Sequence, residues 1–137
     1  MAVAIVGGLW AHRRPFPDAI ARLHEASDSA AMVIRRATVL RAFVPPQGAV
    51  GYINGGNPLP DSFIPPLPPA TVRALAHYKL TQYALAPTLV LPGENFPLIV
   101  GDFSGVAPDT TLLSKRGFWV VRDLGAGLML LAQRSVR

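Results

Sequence analysis

Between Ala49 and Phe103 the chain sets down a short apolar run (Ala49 to Ile53), a proline-rich stretch, a helical pattern from Thr71 to Leu85, and two further apolar runs (Thr88 to Leu91, Pro97 to Phe103). Parallel strands cannot be joined by a tight turn, so this order reads as strands returned to a common edge by a covering helix. Pro97 to Val100 is continuously apolar, as strands buried on both faces are. The expected fold is α/β, with a small, mostly parallel sheet of about three strands and helices packed on it. An antiparallel β-hairpin is expected at the C-terminus, because Phe118 to Arg122 and Gly127 to Gln133 flank the turn residues Asp123 to Ala126.

Elsewhere the pattern is helical. Phe16-Pro17-Asp18 opens a first stripe carried by Ile20 and Leu23, and Val33, Ala37, Leu40 and Val44 form a second. Short polar residues at Ser27 to Ser29 separate the two, predicting helices over 17–27 and 30–43. Pro45 to Gly48 stops the second. In the later helix Val72, Leu75, Ala76, Leu80, Tyr83 and Ala84 are expected on the buried side. Six of the twelve residues from Pro58 to Pro69 are proline, which demands an extended path poor in backbone donors. Asp109 to Lys115 reads as one more short helix.

With 137 residues the chain is long enough for one self-sufficient core. It contains no cysteine, which removes thiol catalysis, thiolate metal sites and disulfides. Eleven arginines and two lysines against eight carboxylates give a net charge of +5. The basic residues are scattered and not interleaved with aromatics, so no nucleic-acid partner is expected. Half of the residues are apolar and only 15% are charged, an oily balance that suits a domain lying beside something apolar.

Residues 1–14 begin with an uncharged run, Ala2 to Trp10, closed by His12-Arg13-Arg14. Nine helical residues reach about 14 Å, less than half of a bilayer core. This segment is read as an edge strand or packed terminal segment, as a truncated membrane anchor, or as a surface contact with Trp10 at headgroup level, and residues 15–137 as a single α/β domain.

Ligands of open α/β sheets collect beyond the carboxyl ends of the parallel strands. Here those ends carry Tyr52, Asn54 and Asn57 after the first strand and Asp102 after the third, a set that either suits sugar hydroxyls, with Asp102 as a base, or amounts to a turn at Asn54 to Gly56 and a loop cap at Asp102. Asn54-Gly55-Gly56 is no dinucleotide loop, since twelve proline-rich residues separate it from the next helix. His12, His24 and His77 lack metal-ligand spacing, and no serine sits in a nucleophile elbow. Neither a cofactor nor a metal is expected, and no catalytic residue is assigned. Tyr78 and Gln82 share a helix face that suits either partner recognition or core anchoring.

Three stretches, Leu40-Arg-Ala-Phe-Val-Pro-Pro-Gln-Gly-Ala-Val-Gly-Tyr-Ile53, Tyr78-Lys-Leu-Thr-Gln-Tyr-Ala-Leu-Ala-Pro87 and Phe118-Trp-Val-Val-Arg-Asp-Leu-Gly-Ala-Gly-Leu-Met-Leu131, resemble the small soluble α/β domain attached to bacterial multi-span membrane proteins of the lipid-linked-sugar glycosyltransferase kind. The resemblance runs from Arg36 onward. Together with the oily composition and the apolar start, it leads to the expectation of a non-enzymatic, membrane-associated accessory or interaction domain, of a cell-envelope glycosylation system and on the extracytoplasmic face as the resemblance implies, whose partner is a membrane-embedded protein; the alternative is a small carbohydrate-binding or carbohydrate-processing domain. The transfer reaction would belong to that partner, and Trp10, Tyr78 and Gln82 would be candidate contacts. His12-Arg13-Arg14 points instead to the cytoplasmic side.

Overall fold

The computed structural model describes residues 29–55, 59, 65–104 and 106–134. Trp10, the helix expected over 17–27, Asn57 and much of the proline-rich stretch lie outside the described residues.

Helix α1 covers residues 29–39 and tightens into a 3₁₀ turn at Leu40–Ala42. Ala37, Leu40 and Val44 are buried, which places the expected stripe on the core. Strand β1 is Ala49–Asn54, α2 is Pro69–Leu85, β2 is Leu89–Pro92, β3 is Leu98–Asp102, α3 is Thr110–Lys115, β4 is Phe118–Asp123 and β5 is Leu128–Gln133. Helix α2 starts two residues earlier than Thr71, because proline is compatible with the first helical turn. Asp109 caps α3 by accepting the Leu112 N–H.

Among the described residues the fold is α/β with a five-stranded mixed sheet in the order β2-β1-β3-β5-β4. β1 pairs in parallel with β2 and β3, and β5 pairs antiparallel with both β3 and β4. The predicted hairpin forms, but it is not an appendage to a three-stranded core. β5 inserts between β3 and β4, leaving β4 at the edge and parallel to β3. Burial explains the placement: β5 is buried from Leu128 to Ala132, whereas only Phe118 of β4 is buried.

Period-two alternation divides the sheet's side chains between two cores. Val50, Tyr52, Val90, Val100, Leu128 and Leu130 join Leu40, Val44, Tyr78 and Leu85 on the α2 face. Ile99, Phe103, Met129 and Leu131 join Leu113 of α3 and Phe118 on the other. Each fully buried leucine or isoleucine removed from water contributes about 1.5–3 kcal/mol before entropy is counted.

The buried side of α2 differs from the expected one. Ala74, Tyr78, Thr81, Ala84 and Leu85 are buried, while Val72 and Tyr83 are exposed. The helix carries apolar residues nearly all round, so periodicity alone does not select a face. Polar satisfaction does: the Tyr78 hydroxyl donates to Val90 O at 2.9 Å, and Thr81 Oγ1 donates back to His77 O at 2.8 Å. Small residues at 74 and 84 let the helix approach the strands closely.

Candidate functional site at the end of strands β1 and β3

β1 and β3 are parallel neighbours, with Asn54 in register with Asp102. The chain leaving β1 enters α2 on one face of the sheet, and the chain leaving β3 enters α3 on the other. Connections diverging from adjacent strand ends open a crevice, the usual ligand position in such sheets. Polar side chains converge there.

Asp102 is the centre. Its side chain is 4% exposed and that of His77 is 15% exposed. Oδ2 lies 2.9 Å from His77 Nδ1 and accepts the Tyr52 hydroxyl at 3.1 Å. Oδ1 accepts the Ser104 amide at 2.9 Å and the Ser104 hydroxyl at 2.5 Å. Four donors from β1, α2 and the turn after β3 saturate the two oxygens. The Asp102 to Ser104 amide bond is the familiar turn made by an aspartate with the N–H two residues on.

Burial pushes the Asp102 carboxyl up, but hydrogen bonds from His77 and from the Ser104 hydroxyl and amide outweigh it. The pKa is held below the ordinary carboxylate value. Tyr52 moves the opposite way. Burial first, then the adjacent Asp102 charge and hydrogen bond, drive its phenol far above the usual value, opposed only by the Asn54 side chain. The carboxylate is therefore the ionised member and the phenol the permanent donor.

This pattern assigns the histidine tautomer. The Ser104 hydroxyl proton is directed to Oδ1, so the Ser104 oxygen, 3.2 Å from His77 Nδ1, presents a lone pair to the ring. Nδ1 faces two acceptors and must itself carry the proton. Nε2 of the neutral ring is then an acceptor, with no hydrogen bond to it among the described residues. Ser104 and Asp102 both stand on the Nδ1 side, so Ser104 does not occupy the nucleophile position of a serine triad, which lies at Nε2.

Glycine lets the strand ends close up. A Cβ at Gly55 would enter the Phe103 ring, and one at Gly127, whose φ is +85°, would meet Phe103 O at 2.6 Å. Gly55 N donates to Asp102 O at 2.9 Å and Phe103 N to Gly127 O at 2.7 Å, pinning the turns on either side of the carboxylate. On the α3 side of this crevice lies a cleft of about 240 Å³ walled by Ile53, Phe103, Leu112 and Leu113, with Asn54 at its border. Arg116 and Glu94 form an ion pair at its margin.

Of the residues singled out from sequence, Tyr52, Asn54 and Asp102 thus come together at one end of the sheet. Tyr78 packs its ring on that of Tyr52, 5.1 Å between centroids, but its hydroxyl reaches β2, where Gln82 Nε2 donates to it at 2.8 Å and to Val90 O at 2.9 Å, fastening α2 to β2. His77 carries no such sequence signal, because an isolated histidine has no spacing to read. Its place one turn before Thr81, on the side of α2 with the small residues, was the available clue. Among the described residues no group of three or more His, Cys, Asp and Glu side chains is placed to hold a metal ion. No helix of the described residues is long and apolar enough to cross a membrane.

The fold and site define a class: an α/β domain with a buried aspartate-histidine pair at the switch point of its sheet. No protein family, curated protein or solved structure matches the chain.

Proposed function

We propose that this domain binds a small hydroxyl-rich ligand of the carbohydrate class at the carboxyl ends of β1 and β3. The observation that carries the reading is the convergence of Tyr52, His77 and Ser104 on the buried Asp102 at the point where the chain departs to opposite faces. Buried polar groups held in one arrangement are costly to assemble for stability alone, and the imidazole nitrogen turned away from Asp102 presents an acceptor to a sugar hydroxyl. The experiment is saturation-transfer NMR of the full chain with neutral sugars. Contacts mapping to His77 and Asn54 support the reading, and a complete lack of contact at this end of the sheet defeats it.

A second reading draws on β4. This edge strand exposes Trp119, Val120 and Val121 at 47%, 38% and 45%. Such an edge favours a non-enzymatic accessory module that docks on a membrane-associated protein of a cell-envelope system, as the sequence resemblance implies. Recovery of the protein in membranes when expressed with that system, and release on Val120→Lys, would support it. Recovery only as a free monomer would count against it.

A further inference from the structure

The tautomer of His77 determines which ligands the site accepts. We propose that His77 Nε2 is the hydrogen-bond acceptor for a ligand hydroxyl, and that the site selects neutral polyols over their phosphate or carboxylate derivatives while the ring is neutral. The inference rests on the carbohydrate reading above and adds a polarity and a switch to it.

Geometry carries the argument. Asp102 Oδ2 at 2.9 Å and the Ser104 oxygen at 3.2 Å are both acceptors toward Nδ1, so the ring proton is held there and the Nε2 lone pair faces away. Helix α2 supplies the ring, its backbone engaged by Thr81 Oγ1 on His77 O, and Asp102 holds Nδ1. A carboxylate on one ring nitrogen fixes the tautomer and with it the role of the other. With the ring neutral, the cluster carries the full negative charge of Asp102. An anionic ligand approaching Nε2 meets a lone pair and that charge, whereas a hydroxyl donates into the lone pair.

Protonation inverts the preference. The imidazolium cancels the Asp102 charge and turns Nε2 into a donor, which then suits an anionic oxygen. The groups facing the ring among the described residues are Asp102 of β3 and, through it, the phenol of Tyr52 on β1. On α2 itself Arg73 lies one turn earlier, and Lys79 turns its ammonium over the Tyr78 ring, 5.4 Å from the centroid. Burial and the adjacent Asp102 charge keep the Tyr52 phenol protonated far above its usual range.

The test combines two readouts on the full chain. Nitrogen-15 NMR of the histidines in the neutral range should show the His77 proton on Nδ1, and a proton on Nε2 overturns the inference whatever the ligand results. Methyl glucoside and glucose phosphate are then titrated across the pH range in which His77 protonates. Methyl glucoside should weaken about tenfold on protonation, roughly the worth of one hydrogen bond, while glucose phosphate tightens. His77→Gln keeps an acceptor that does not titrate and should bind methyl glucoside with no pH dependence. Glucoside binding that ignores His77 protonation overturns the inference and leaves the carbohydrate reading standing. No binding of either compound at any pH, with the tautomer as expected, overturns both.

Discussion

At the residue scale the molecule is organised around one carboxylate. Asp102→Asn replaces an acceptor of four hydrogen bonds with a group whose amide faces donors, and the cost should be about 3 kcal/mol near neutral pH, measured by urea unfolding. Because the folded-state pKa of Asp102 lies below its unfolded value, this contribution is complete above the ordinary carboxylate range and is lost as pH falls through the lowered folded value. The gap between wild type and Asp102→Asn should accordingly close on acidification. Tyr52 has the opposite sign. Its raised phenol stabilises the fold below about pH 10, and stability declines above that value as the unfolded chain ionises while the folded one stays protonated. In Tyr52→Phe the part of the alkaline decline due to this group should vanish, with a loss of about 1.5–3 kcal/mol at neutral pH from the missing charge-assisted bond. Asp102 and Tyr52 were legible as candidates because strand ends are where such sheets bind. Their mutual bond was not, since 50 residues separate them.

At the element scale α2 shows how a helix with little amphipathic contrast finds its seat. Tyr78 and Gln82 share the Val90 carbonyl, so Tyr78→Phe should cost only about 1 kcal/mol, the Gln82 bond remaining. Loss of that carbonyl's remaining donor in the Tyr78→Phe, Gln82→Leu double variant should cost more than the sum of the single losses, read by a double-mutant cycle. The two sheet edges differ. β2 spans four residues, ends at Pro92 and follows Pro87 closely, which limits strand addition. β4 spans six residues without proline, though the register shifts between Val120 and Arg122. Val120→Lys should leave unfolding free energy within about 0.5 kcal/mol and reduce association at high concentration, measured by light scattering.

For the whole molecule the decisive feature is β5. It carries Leu128 and Leu130 into one core and Met129 and Leu131 into the other, so both faces depend on this one strand. Leu130→Ala should cost about 3 kcal/mol in thermal or urea unfolding. A chain ending before Phe118 should lose cooperative unfolding altogether, because β3 would be left as an edge with both faces of its neighbour missing. A hairpin merely appended to a parallel core would be removable without that loss.

The sequence by itself determined the class of the fold and most of its elements: the 3.6-residue and two-residue periodicities, the prolines and the glycine turns act locally, within one or two turns of chain. It also marked Tyr52, Asn54 and Asp102, since strand ends follow from strand assignment. The buried face of α2, the insertion of β5 between β3 and β4, and the union of His77 with Asp102 and Ser104 were decided only by tertiary structure. Those outcomes depend on which polar groups find partners when distant segments meet. That pairing energy is not a property of any one segment, and so no local pattern records it.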